Sequence, residues 1–328
     1  MSGRVRTVLG DVDAAGLGRC NYHEHLFQVS PLLAGDELDD ERCSRVEAAA
    51  LRAAGTDAMV EATPTGLGRD PAAVARISAA TGLAVVHVSG AHRQEHYAGG
   101  HWLLDADEDG LIRRFTADVD DGLPEQDRPE RGPAATGPTG EPVRAGMLKA
   151  GVGYWRISPF ERRVLAAIAA ASGTTGVPLM VHLEYGSAAW EVLDALAAAG
   201  IGADRVVLAH ADRNLDPVLH AELTRAGAYL GYDGMARHRE APDSAIVECL
   251  QRVLATGDPG RIVLGGDVAR RSRYRSYGGI PGLDYLPVRF LPRLQATIGA
   301  ELVAELVVAN PARLLALRSP ATAAGGHR

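Results

Sequence analysis

Pro178-Leu179-Met180-Val181-His182-Leu183 is a short apolar run with a histidine at its end, and Arg205-Val206-Val207-Leu208-Ala209-His210 repeats that pattern. Ser187 to Ala199 between them has the periodicity of a helix. Continuous apolar runs of this length are what a parallel sheet covered on both faces requires. The pair therefore reads as one strand-helix-strand unit with a histidine closing each strand.

The same rhythm extends in both directions. Upstream, Asp57 to Ala62 and Leu83 to Ser89 are apolar runs, with the loop Thr63-Pro64-Thr65-Gly66 after the first. Asp39 to Ala54 reads as a helix stopped by Gly55, and Asp70-Pro71 opens another, an N-cap with proline at the first helical position. Arg144 to Ala150 is a strand with Lys149 near its C-terminal end, and Ser158-Pro159-Phe160-Glu161 is a capping-box signature. Downstream, Tyr229 to Tyr232 is a strand between helices at Leu215 to Ala226 and Asp243 to Ala255. Arg261 to Asp267 is an apolar strand ending in aspartate, followed by helical stretches at Pro287 to Ile298 and Glu301 to Val308.

With the strand that enters Asn21-Tyr22-His23-Glu24-His25, eight strands begin near residues 19, 57, 83, 145, 178, 205, 229 and 261. Eight such units predict a single α/β domain over residues 1–318, a (β/α)8 TIM barrel, with a doubly wound open sheet as the alternative. No Gly-x-Gly-x-x-Gly follows the first strand, which counts against a dinucleotide fold. Residues 124–142 are rich in Pro, Gly and charge and read as an exposed loop inside that domain, because the rhythm resumes after them. The Ala/Gly-rich stretch 319–328 reads as a disordered tail.

Composition narrows the partners. Apolar residues are 46% of the 328, and the net charge of −7 disfavours a nucleic-acid surface. Cys20, Cys43 and Cys249 are too few and too far apart for a disulfide framework or a Cys-x-x-Cys zinc motif, which suits a reducing cytoplasm. The N-terminal residues lack the apolar core of a signal peptide, and no run of 18 apolar residues exists, so no membrane partner is expected. A homodimer is compatible with such a barrel.

The candidate chemistry sits at strand ends. His23 and His25 are two apart, so on a strand they share a face. Lys149, His182, His210 and Asp267 also fall at or near strand ends, which converge on one face of a barrel. Taken singly, each is more often a hydrogen-bonded loop residue than a ligand; six in strands 1, 4, 5, 6 and 8 point to metal. Histidines with a carboxylate suit zinc, and also manganese, cobalt or nickel. Lys149 fits such a site if burial and nearby positive charge make its amine neutral. A neutral amine can take up carbon dioxide, giving an anionic carbamate able to bridge two metals. A salt-bridging lysine inside the barrel is the plainer alternative.

His23-Glu24-His25, Arg144-Ala145-Gly146-Met147-Leu148-Lys149, His182, His210 and Asp267 together resemble the phosphotriesterase-like branch of the amidohydrolase superfamily, from about Thr7 to Leu315. Thr174-Thr175-Gly176-Val177-Pro178 and Asn310-Pro311-Ala312-Arg313-Leu314 belong to the resemblance, against which Pro129 to Pro142 looks like an insertion. It implies one metal on His23, His25 and Asp267 and a second on His182 and His210, bridged by carboxylated Lys149 and a hydroxide. It also implies hydrolysis of an ester-type bond, with Asp267 moving the proton.

The loops carry unusual positive charge for an acidic chain. Arg270-Arg271-Ser272-Arg273-Tyr274-Arg275-Ser276-Tyr277-Gly278-Gly279 follows the last strand, and Arg237 and Arg239 follow the seventh. Barrels often bind phosphate there. The expected substrate is therefore a small anionic molecule held by Arg275, Tyr277, Arg237 or Arg239, with Tyr97 nearby, and the Arg275 stretch resembles the branch acting on phosphorylated sugar lactones. The alternatives are an organophosphate triesterase or acyl-homoserine lactonase, with Trp102, Trp155 and Tyr97 in an apolar pocket, or a metal-binding module without turnover.

Overall fold

The computed structural model describes residues 3–237 and 239–319, so most of the stretch 319–328 lies outside the described residues. A hairpin, β1 (Arg4–Thr7) with β2 (Gly10–Asp13), precedes eight parallel strands. These are β3 (Cys20–Glu24), β4 (Ala58–Glu61), β5 (Ala84–Gly90), β6 (Ala145–Val152), β7 (Leu179–Leu183), β8 (Val206–Ala209), β9 (Tyr229–Tyr232) and β10 (Ile262–Leu264). They pair in chain order from β3 to β10. The ring closes where the amides of Gly266 and Asp267 donate to the His23 carbonyl at 3.3 and 3.0 Å. Helices cover the outside, so the fold is the expected TIM barrel rather than an open sheet.

Side-chain alternation explains how apolar strands deliver a polar site. Val60, Val88, Met147, Met180, Val207 and Val263 fill the barrel interior, while their strand neighbours pack outward under the helices. Two residues beyond Met147 and Met180, the same inner face carries Lys149 and His182. Lys149 lies deeper than expected, because β6 continues to Val152 and pairs Lys149 with Met180 of β7. A register shift between Asn21 and Glu24 in β3 adjusts the entry to the His23-Glu24-His25 segment.

The local start signals hold. Ser158 and Glu161 form the capping box of the helix Pro159–Thr175, and the Asp70 side chain caps Pro71–Thr81. The 124–142 segment is the largely exposed loop expected for it. Isolated bridges at Pro124–Ala134 and Thr136–Pro142 fold it back on itself, and Ala135 is buried within it. Among the described residues, no helix is long and apolar enough to cross a membrane.

Candidate metal centre

The structure brings His23, His25, Lys149, His182, His210 and Asp267 to one end of the barrel, all buried. His23, His25 and Asp267 offer three ligand atoms within 4.8 Å of one another. Asp267 Oδ1 lies 3.8 Å from His23 Nε2 and 3.6 Å from His25 Nε2. The Lys149 ammonium nitrogen is 3.4 Å from His23 Nε2 and donates to the Ala62 carbonyl at 2.8 Å. The His210 and His182 rings lie 4.4 Å apart, with His210 5.1 Å from His23. His210 and Asp267 both have left-handed backbones, φ 67° and 42°. Non-glycine residues hold that conformation at a cost, and such strain gathers at functional sites.

Neighbouring acceptors select which imidazole nitrogen stays free. Thr63 Oγ1 donates to the Phe27 carbonyl at 2.6 Å, so across the 2.7 Å to His25 Nδ1 it accepts a proton. His25 Nε2 keeps its lone pair. Asp233 does this for two residues, with Oδ2 3.0 Å from His23 Nδ1 and Oδ1 2.6 Å from His210 Nδ1. The Tyr22 hydroxyl also donates to Asp233, and a Cβ at Gly231 would collide with that tyrosine. His182 is turned the other way. Its Nε2 is 2.8 Å from Glu184, which leaves Nδ1 as the free atom.

His23, His210 and Asp233 also lie close enough to be counted as a ligand group. Their short contacts are hydrogen bonds already made through Nδ1, so Asp233 orients the histidines rather than binding an ion. Burial alone would raise the Asp233 carboxyl, but His210 and His23 bring it well below its ordinary value.

The titration states suit cation binding. Burial, then the charges of Lys149 and His23, drive His25 well below the usual imidazole range. Burial and Arg213 bring His210 down to about 4. Burial also lowers Lys149 to about 8, toward the neutral amine. Asp267 is the anion among them. Burial opposes its ionisation, yet Arg237, His23, His210 and Arg213 pull it far below the carboxylate range. Its Oδ2 is held by Arg213 at 2.7 Å and by Arg237.

A second group of histidines borders this centre. The His92 ring lies 4.5 Å from that of His182 and 3.7 Å from that of His96, tilted against both, and His96 Nδ1 meets Ser30 at 3.0 Å. Sequence reasoning passed over Asp233, Arg213, His92 and His96. Asp233 follows β9 directly, so the strand-end rule that found His210 applied to it as well.

Beside Asp267 lies a cavity of about 460 Å³ lined by Arg237, Arg239, Arg270 and Arg273, with Glu240 as the one acidic wall residue among the described residues. Burial, then Arg237, push the Arg273 guanidinium down to about 10, a sign of gathered positive charge. Arg237 and Arg239 thus stand where expected, whereas Arg275 and Tyr277 do not line this cavity. Arg275 is half exposed and pairs with Asp284 at 2.8 Å, and the Tyr277 hydroxyl accepts from the Asp40 amide at 3.0 Å. Tyr97 is buried, its hydroxyl donating to the Thr65 carbonyl at 3.0 Å and accepting from the His92 amide at 2.9 Å. Two short 3-10 turns, Arg271–Arg273 and Arg275–Tyr277, set which arginine faces inward.

A TIM barrel with this strand-end cluster defines a hydrolase of the metal-dependent kind. The Phosphotriesterase family model matches residues 3–315, and the chain belongs to that family. A phospho-furanose lactonase of Mycoplasmopsis synoviae (strain 53) is 29% identical over 327 residues, covering 95% of this chain and 91% of the relative. A lactonase structure from Listeria monocytogenes superposes with a TM-score of 0.87 at 28% identity, covering 96% of this chain and 100% of that one. The Escherichia coli phosphotriesterase homology protein, solved with phosphate in its active site, gives a TM-score of 0.79 at 25% identity, covering 91% and 99%.

Proposed function

We propose that this protein is a binuclear-metal lactonase whose substrate carries a phosphate or similar anion, a phosphorylated sugar lactone being the best fit. The observation that carries this reading is the four-arginine cavity joined to the metal centre through Arg237, which touches both. The names of the lactonase relatives agree with it. Phosphate suits bidentate guanidinium contacts, and a neutral triester would leave these charges unused.

One metal would be held by His23, His25 and Asp267. The other would be held by His182 through Nδ1 and His210 through Nε2, with N-carboxylated Lys149 joining the two. Zinc fits the donor set; manganese, cobalt and nickel are compatible. Two such cations supply a hydroxide at neutral pH and polarise a carbonyl oxygen.

The chain's own residues do the rest. Asp233, Thr63 and Glu184 hold the four histidines in the tautomers that expose a lone pair. Arg237, Arg239, Arg270 and Arg273 fix the anionic end, so the lactone carbonyl is presented beside Asp267. Asp267 would hold the first metal through Oδ1, the oxygen facing His23 and His25. Its other oxygen, Oδ2, which Arg213 and Arg237 orient, takes the proton and passes it to the leaving alkoxide.

The triesterase and acyl-homoserine lactonase alternatives need an apolar pocket at the reaction centre. Trp102 instead lines a separate cavity with Arg113, Arg114 and Arg131, and Trp155 is exposed. The test is kcat/KM of the metal-loaded protein for a furanose lactone phosphate, its dephosphorylated form and a neutral phosphotriester. A preference of roughly tenfold or more for the phosphorylated lactone is expected from one charge-assisted contact. Equal rates on all three would overturn the reading.

A further inference from the structure

We propose that Asp127, on the Pro/Gly-rich segment, is a positioning residue for the metal centre, acting through the 62–69 loop. This rests on the metal-centre reading above. The loop carries two contacts that matter to the ligands: the Ala62 carbonyl receives Lys149, and Thr63 Oγ1 receives His25 Nδ1–H. The far end of the same loop is gripped from outside. The Gly66 amide donates to Asp127 Oδ2 at 2.8 Å, and Arg69 holds both Asp127 oxygens, Nε at 2.9 Å and Nη2 at 2.7 Å.

This grip is buried and braced. The Arg69 and Asp118 side chains are 1% and 0% exposed, and that of Asp127 is 10% exposed. Arg69 also reaches Asp118 at 3.0 Å, which takes the Ser89 hydroxyl at 2.6 Å. The segment's other anchors are different in kind. Arg114 donates to the Arg128 carbonyl, and Arg131 donates to the carbonyls of Ala117 and Gly122 and lies 3.7 Å from Asp118; among the described residues neither hydrogen-bonds to the 62–69 loop. A segment that served only as cover would need these anchors alone. Asp127 ties it to the backbone that sets a histidine tautomer and the lysine amine.

Outer contacts of this sort set ligand orientation, and their loss typically weakens metal binding 10- to 100-fold. Asp127 acts one step further out, so about tenfold is expected. The experiment is titration of the metal-free full-length protein with Zn²⁺ against a chromophoric chelator. It is run on the parent, Asp127→Ala and Arg131→Met, with circular dichroism confirming the fold. Asp118 still neutralises Arg69 in Asp127→Ala, which favours folding. Asp127→Ala is expected to bind Zn²⁺ about tenfold more weakly, while Arg131→Met lowers Tm but keeps parental affinity. Should Asp127→Ala not fold, Asp127→Asn, which keeps an acceptor for Gly66, is expected to show a smaller loss of the same sign. Parental affinity in the folded Asp127 variant, or an equal loss in Arg131→Met, overturns the proposal. A parent that binds Zn²⁺ yet opens no lactone removes the lactonase reading and leaves this one standing.

Discussion

His210 Nδ1 lies 2.6 Å from Asp233 Oδ1, and the other oxygen of the same carboxylate takes His23 Nδ1 at 3.0 Å. One buried aspartate thus orients two histidines from opposite sides of the barrel seam. Asp233→Ala should weaken metal binding roughly 10- to 100-fold, the range for loss of an outer-shell partner. Metal content after dialysis at limiting Zn²⁺ checks this. Parental content with the fold intact would make Asp233 a structural residue only.

Lys149 tests the bridging arrangement. Its amine sits 3.4 Å from His23 Nε2, where an unmodified ammonium would repel a metal held by that nitrogen. Lys149→Ala should lose activity and hold less than two metals per chain. Added short carboxylic acids should restore part of the rate by supplying the missing oxygens. Full metal content in this variant would contradict the bridge.

Among the arginines, Arg273 rather than Arg275 is the one to remove. Arg273 lines the cavity, whereas Arg275 is spent on Asp284. A charge-assisted hydrogen bond contributes about 1.5–3 kcal/mol, so Arg273→Ala should lower kcat/KM for a phosphorylated lactone roughly 10- to 150-fold. Neutral lactones should change little, and Arg275→Ala should behave like the parent. The reverse ranking would return the anion site to the outer loop.

Acid should destabilise the metal-free protein. Burial lowers His87 and His96 to about 3 and His210 and His220 to about 4, from an ordinary value of 6.5. Their contribution is complete above pH 6.5 and is lost as pH falls toward those folded values, because the unfolded chain takes the protons. Glu61 and Asp212, raised to about 7 by burial, work against this, since their contribution fades as pH rises through 7. His25, His92 and His182, also pushed down by burial, tip the balance toward the histidines. The urea midpoint of metal-free protein should therefore fall between pH 7 and 4.5. A flat or rising midpoint would show that the carboxyls prevail.

Much of this was legible in the sequence, for reasons that the residues make plain. His182 and His210 close short apolar strands, and a parallel barrel sends all such ends to one place. Lys149 was found by the same rule although it sits inside β6, since the alternation from Met147 gives its face correctly but not its depth. Asp233 escaped because Tyr232-Asp233-Gly234 reads equally well as turn chemistry. Arg273, which lines the cavity where Arg275 does not, was not singled out, because two consecutive 3-10 turns have no apolar pattern to reveal which side chain points inward. Asp127 was invisible for a different reason. Its partner Arg69 is 58 residues away, and no local periodicity reports such a pairing.

We infer that metal held by the strand-end histidines, Lys149 and Asp267 makes this barrel a lactonase for anionic substrates. The most direct test is the rate of opening of a furanose lactone phosphate by metal-free protein titrated with Zn²⁺ or Mn²⁺. No turnover is expected without metal, and the rate should rise to a plateau at two equivalents per chain. Turnover that persists in the metal-free protein, or none at any metal loading, would contradict it.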